Sequence, residues 1–168
     1  MITGHLYGGN TETRIVQEKV LGIGGVRLLR KLGISPSVFH LNEGHSAFLT
    51  LELAHEYLVA NPEASFEEAQ DAVRPQCVFT THTPVAAGND AFSTGELHSC
   101  FDQNFIAGLK LTDQEFFGLG RIDPGDVDEP FGMTTFALRM CRSANGVSEK
   151  HGEVSRGLWK EMYSENIE

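Results

Sequence analysis

His82 lies between two threonines, Thr81 and Thr83, with Pro84 stiffening the chain beyond it and Gly88 permitting a close backbone approach to a ligand. Imidazole and hydroxyl groups both donate and accept hydrogen bonds, and a sugar presents many hydroxyls that need both. The set therefore suits hydroxyl recognition, and it suits equally well a structural histidine satisfied inside a fold. Asn42, Glu43 and His45 form a second group. A carboxylate beside a histidine can orient a sugar, move a proton or contribute to a metal site. The plainer reading is a helix start, capped by Asn42, where the helix dipole favours Glu43. A zinc site built from Glu43, His45 and His82 lacks the i, i+4 pairing of H-E-x-x-H, so no metal is expected. Neither a G-x-S-x-G elbow nor a G-x-x-x-x-G-K-[ST] loop occurs, which removes the most readable signatures of esterases and phosphate-loop nucleotidases.

Both groups sit where a strand gives way to a polar turn. Ser37 to Leu41 follows Pro36 as a short apolar run and predicts a buried strand, ending in Asn42-Glu43-Gly44-His45 before a helical run over Ser46–Val59. Cys77 to Thr81 predicts a second strand, ending in His82-Thr83-Pro84 and a Gly- and Asn-containing loop through Ser93. Between them, Ser65 and Glu68 form a capping-box pair for a helix over Ser65–Arg74 that Pro75 ends. Strands alternating with helices argue for βαβ units, hence a Rossmann-like parallel sheet with flanking helices, an α/β fold. Ligands of such sheets sit outside the carboxyl ends of the strands, so both turns are expected to open onto one cleft.

Upstream, apolar residues from Ile15 to Leu32 recur at three- and four-residue intervals and predict a helix over Thr11–Leu32, with Gly33 as its C-cap. Gly22, Gly24 and Gly25 spell G-x-G-G, but no strand precedes them as the dinucleotide fingerprint requires, so they read as close helix packing. Downstream come a Phe-rich region (Phe101, Phe105, Phe116, Phe117), a loop from Asp123 to Pro130, and a helix over Met133–Ser143. A turn or short strand at Asn145–Ser148 and helical spacing over Glu149–Tyr163 complete the chain. His5, His40, His55 and His98 show no partner pattern and read as surface or packing residues.

A formal charge of −10, from 23 acidic against 13 basic residues, argues against nucleic acid and anionic membrane surfaces as partners. No apolar stretch approaches the ~20 residues of a membrane span, and the first residues lack a basic n-region before an apolar h-region, so a cytoplasmic protein is expected. The three cysteines, Cys77, Cys100 and Cys141, have no C-x-x-C spacing and read as buried or half-buried free thiols. Both ends of the chain read as cut rather than finished.

Four strings, taken in order, resemble the α-glucan (glycogen/maltodextrin) phosphorylase family, especially its bacterial branch: LYGGNTETRIVQEKVLGIGGVRLLRKLG at Leu6–Gly33, FHLNEGHSAF at Phe39–Phe48, VFTTHTPVAAGNDAF at Val78–Phe92 and SANGVSEKHGEVSRGLW at Ser143–Trp159. The resemblance implies a GT-B architecture in which two Rossmann-like halves face each other across a glucan cleft. Residues 1–168 would be part of its N-terminal, glucan-side domain, an incomplete one, with the C-terminal pyridoxal-phosphate domain absent. It implies reversible phosphorolysis of α-1,4-glucans to glucose 1-phosphate in the complete enzyme, with glucan and phosphate as substrates, a homo-oligomeric assembly, and an inactive chain when this segment stands alone. His82 matches the family histidine that hydrogen-bonds the glucosyl 6-hydroxyl and is the catalytic-group candidate; Thr83 matches its neighbour. Glu43 stands where muscle-type members carry the aspartate of an N-D-T-H string, His45 matches that string's histidine, and Asn42 lies in the same string. Asn10 lies in a loop similar to the one gating the catalytic site, though shorter. The family's cofactor lysine and phosphate-binding basic residues fall beyond the last matched string, so Lys19, Lys31, Lys110, Lys150 and Lys160 are not expected to bind pyridoxal phosphate. Two other readings stand beside this one: part of a sugar-nucleotide-dependent glucosyltransferase of the glycogen/starch-synthase kind, or a stand-alone non-catalytic glucan-binding module.

Overall fold

The computed structural model describes Gly4, residues 10–85 and residues 88–163; His5 and the Gly8-Gly9 loop lie outside the described residues. The first helical stretch runs almost as its periodicity predicts, but as α1 (Thr11–Lys19), one π turn (Val20–Gly24) and α2 (Gly25–Lys31). It stops where Gly33 takes φ +70°. There Gly33 N–H donates to Arg30 O at 3.0 Å and Ile34 N–H to Leu29 O at 2.9 Å, a Schellman closure. The close-packing role of the glycines falls on Gly22 alone. A Cβ there would lie 2.6 Å from Leu49 N, whereas one at Gly25 would meet nothing within 4 Å.

Strand β1 (Phe39–Asn42) is followed by a 3₁₀ turn (Gly44–Ser46) and α3 (Leu49–Ala60). The helix begins three residues later than expected because the tighter turn uses that segment. α4 (Phe66–Val73) carries the complete capping box, with Ser65 N–H on Glu68 Oε2 at 2.7 Å and Glu68 N–H on Ser65 Oγ at 3.2 Å. A 3₁₀ turn containing Pro75 then leads into β2 (Cys77–Thr81).

Beyond the His82 loop, β3 (Ala91–Phe92) pairs antiparallel with β4 (Phe131–Gly132) and encloses α5 (Thr94–Cys100), α6 (Gln103–Gly108) and α7 (Asp113–Gly118). The Phe-rich region forms the core here: Phe48, Phe116, Phe131 and Phe136 are fully buried. Phe131 stands 5.3 Å from Phe136 and 6.1 Å from Phe116, centroid to centroid. α8 (Met133–Met140) ends before the predicted Ser143 because Arg142 N–H bonds Cys77 O at 3.0 Å, drawing the chain into the sheet as β5 (Ser143–Gly146). α9 (Glu149–Leu158), capped by Ser148, and a 3₁₀ turn (Lys160–Tyr163) follow.

The main sheet has the order β1-β2-β5 with both pairings parallel, Asn42 opposite Thr80 and Thr81 opposite Gly146. All three strands therefore end on the same side. Phe39, Leu41, Cys77 and Phe79 face the buried core, while the opposite face carries His40, Asn42, Thr80, Ser143 and Asn145. Parallel sheets are ordinarily covered on both faces. Here the second face is largely exposed and polar, and a chain of hydrogen bonds crosses it, His40 Nε2 to Thr80 Oγ1 at 2.7 Å and Thr80 Oγ1 to Asn145 Oδ1 at 3.0 Å. A hydroxyl has one proton, so with Thr80 donating to Asn145, His40 carries its proton on Nε2. Cys77, Cys100 and Cys141 are free, the first and third buried. The Cys141 thiol is held protonated by its neighbour Cys77 and by burial. No helix among the described residues is long and apolar enough to cross a membrane.

Candidate functional site

The turns after β1 and β2 are tied together by one side chain. Glu43 Oε1 accepts the backbone N–H groups of both His82 and Thr83, the latter at 2.7 Å. The Glu43 N–H in turn donates to Thr80 O at 2.9 Å, carrying the β1–β2 ladder one step past the strand. To do both, Glu43 adopts φ 68°, ψ 174°, a region that L side chains other than glycine occupy at a cost of about 1–3 kcal/mol. Charge-assisted bonds to two backbone amides offset that cost. Next to it, Gly44 lets the turn press on α8, since a Cβ there would lie 2.8 Å from Met133 Cβ.

His82 is exposed, and its ring meets no hydrogen-bonding partner among the described residues. Thr83 is half-buried, and Gly88 folds the loop back over it: a Cβ on Gly88 would stand 2.8 Å from Thr83 Cγ2. The close approach that glycine permits is thus to the loop's own threonine. Asn42 is an exposed strand residue and caps nothing. The following 3₁₀ turn and α3 have Glu43 and Phe48 at their N-cap positions, and neither makes a side-chain cap, so the helix-start reading of this segment is corrected. Asn10, by contrast, is the N-cap of α1, its Oδ1 accepting from Thr13 N at 3.0 Å and from Thr13 Oγ1 at 2.9 Å.

His45 joins a cluster that its spacing did not reveal. Its Nδ1 lies 3.1 Å from Asp90 Oδ2, 2.7 Å from Arg14 Nη2 and 3.6 Å from Glu18 Oε1. Arg14 also reaches Asp90 Oδ2 at 2.9 Å and Glu18 Oε1 at 3.3 Å. Glu18 is 1% exposed, and neither of its carboxylate oxygens makes a hydrogen bond, so burial raises its pKa to about 7. Asp90, and after it Glu18, raise His45 to about 9, while His45 and Arg14 hold Asp90 far below the usual carboxylate range. A guanidinium always keeps its protons, so at 2.7 Å Nδ1 would have to accept and the ring be neutral. Two carboxylates against one guanidinium favour the imidazolium instead, and Arg14 already holds Asp90 and Glu18 as alternative partners. Glu18, His45 and Asp90 offer donor atoms within 4.8 Å of one another, the arrangement of a three-ligand metal site. The Arg14 guanidinium lies among those same atoms, so the positive charge at their centre is the protein's own.

Known proteins match almost the whole length of this chain. The chain is 41% identical over 163 residues to a maltodextrin phosphorylase of Thermococcus litoralis, covering 97% of this chain and 18% of the relative. It is 39% identical to a glycogen phosphorylase of Mycobacterium tuberculosis (97% of this chain, 20% of the relative) and 34% identical to one of Aquifex aeolicus (98% and 23%). The chain is homologous to a segment of the glycogen and maltodextrin phosphorylases. It spans about a fifth of the length of the curated relatives it matches. No family model matches it.

Within this segment, the fold brings Glu43, His82 and Thr83 together, keeps Asn42 beside them on β1, and places His45 with Arg14, Glu18 and Asp90. The i, i+4 spacing of Arg14 and Glu18 was the one readable sign of that cluster. Asp90 lies 45 residues from His45 and left no such sign. Lys19 Nζ bonds Cys100 O and Lys110 Nζ bonds the carbonyls of Pro62 and Ala64, while Lys31, Lys150 and Lys160 are exposed helical residues.

Proposed function

We infer that this chain supplies the glucosyl-binding wall of the catalytic cleft in an α-1,4-glucan phosphorylase, an enzyme releasing glucose 1-phosphate from glycogen or maltodextrin by phosphorolysis. The observation that carries the reading is the Glu43 carboxylate joining the two strand-end turns, in a chain homologous along 97% of its length to phosphorylases. With its backbone pinned from the neighbouring turn, His82 presents an unengaged imidazole to a sugar hydroxyl, and Thr83 supplies a second hydrogen-bonding group. Glu43 acts through them as a positioning residue. The segment is part of the N-terminal half of a two-domain GT-B enzyme, cytoplasmic and homo-oligomeric when complete. The chain's lysines do not fit pyridoxal phosphate, so the cofactor is held by the remaining polypeptide and alone this segment turns nothing over.

A chimera tests this directly, with the 168 residues replacing the corresponding segment of the Thermococcus maltodextrin phosphorylase. The chimera should make glucose 1-phosphate from maltodextrin and phosphate, and His82→Ala should lower kcat/KM by about 10²-fold, the scale of a lost transition-state hydrogen bond. A folded, cofactor-loaded chimera whose activity ignores His82→Ala would overturn the assignment.

A further inference from the structure

A cavity of about 450 Å³ lies between β5, the end of α8 and α9, and the glucan-wall reading makes no use of it. Arg74, Arg142 and Arg156 all line it. All three are exposed, and none forms an ion pair or side-chain hydrogen bond with a described residue. In a chain of net charge −10, three guanidiniums gathered without a carboxylate form a local excess of positive charge and of planar, bidentate donors. Two further features point to a ligand. Thr81 is 3% exposed, lines the cavity, and its Oγ1 has no hydrogen-bond partner, a cost the fold bears unless something accepts or donates there. Trp159, the single tryptophan, and Asn145 complete the wall with an apolar ring and an amide. The roughly 530 Å³ cavity beside α7 lacks this character, because its arginine, Arg139, already donates to the carbonyls of Gly118 and Leu119.

We propose that the cavity beside β5 is an anion-binding site for a phosphate-bearing small molecule of hexose-phosphate size, with Arg74, Arg142 and Arg156 on the phosphate and Trp159 against the carbon skeleton. The volume falls within the range of about 300–1,000 Å³ typical of small-molecule pockets. The cavity adjoins the Glu43–His82 wall through Thr81, but its three arginines take no part in that wall, and the proposal does not depend on the phosphorylase reading.

Trp159 reports on its own site, so the experiment is a fluorescence titration of the 168-residue chain with inorganic phosphate, a hexose phosphate and the uncharged hexose. A saturable change with the first two and none with the hexose is expected, weakening as salt screens the arginines. Arg142→Gln and Arg156→Gln, both at exposed positions, should each weaken hexose-phosphate binding about tenfold, the worth of one charge-assisted contact. Thr81→Val, nearly isosteric, should weaken it less. Lys31→Gln removes a charge elsewhere and should change nothing, and far-ultraviolet circular dichroism confirms folding of each variant. Hexose binding as tight as hexose phosphate, equal affinity in the arginine variants, or no saturable response in the folded chain would each overturn the proposal.

Discussion

At the scale of single residues, Glu43 does two jobs that pull against each other: it adopts a costly backbone conformation and it repays that cost by holding the next turn. Glu43→Gln keeps the shape but loses the charge on both bonds, and should cost about 1–2 kcal/mol, measured by denaturant unfolding. Glu43→Gly relieves the conformation and removes both bonds, so a stability equal to the parent's would mean the bonds only balance the strain. The His45 cluster makes a prediction in pH. His45 is raised from 6.5 to about 9, so its contribution to stability is full below about pH 6.5 and is lost as pH rises through about 9. Glu18, raised from 4.5 to about 7, runs the same way, full below about pH 4.5 and lost through about 7. Asp90 runs the other way, contributing above its ordinary value and giving way only in strong acid. Thermal stability should therefore decline from about pH 5 to pH 9. His45→Gln should flatten the upper part by about 1 kcal/mol after allowing for the 35% exposure of the ring. Melting curves with the same slope in both proteins would remove His45 as the source.

At the scale of elements, local chemistry decided what was legible. Ser65 with Glu68, Pro75 and the Gly33 C-cap were readable because each acts within a few residues, and the structure repeats them. Ser93 with Glu96 and Thr112 with Glu115 carry the same capping-box signature, and they open α5 and α7, which stood in a stretch read only as Phe-rich. Their helices are only seven and six residues long, too short for an apolar period to emerge. Ser65→Ala should cost about 1 kcal/mol, as capping boxes do. The three glycines of the first helix separate by packing rather than by sequence. Gly22→Ala must push aside the backbone at Leu49 and should destabilise by about 2 kcal/mol or more, whereas Gly25→Ala points into open space and should gain about 0.5–1 kcal/mol. Equal effects at both sites, read by thermal unfolding, would refute the close-contact account.

At the scale of the whole molecule, the parallel sheet and the meeting of the two turns were legible, because strand and helix alternation leaves few topologies open. The Arg14–Glu18–His45–Asp90 cluster was not, since it is assembled from segments 31 and 45 residues apart that only the packed fold brings together. The molecule also carries more apolar surface than its sheet side needs. Leu28 and Leu32 are 59% and 64% exposed, and their spacing of four makes them a short apolar stripe on one side of α2. Such a stripe favours association. Sedimentation should show concentration-dependent self-association that Leu28→Glu with Leu32→Glu abolishes; a monomer at all concentrations would contradict it.

The π turn at Val20–Gly24 bears on how the first helix fits between its two ends. A π turn takes up one residue more than an α turn while letting the helix on either side continue regularly. Here one flank is fixed by Arg14 and Glu18 in the buried cluster and the other by Val26 in the core. Deleting Gly24, which has no neighbour closer than 3.9 Å to a Cβ placed there, should yield an unbroken α-helix that still folds, with both flanks undisturbed. The π turn is thus the point at which the helix absorbs one extra residue between two fixed flanks.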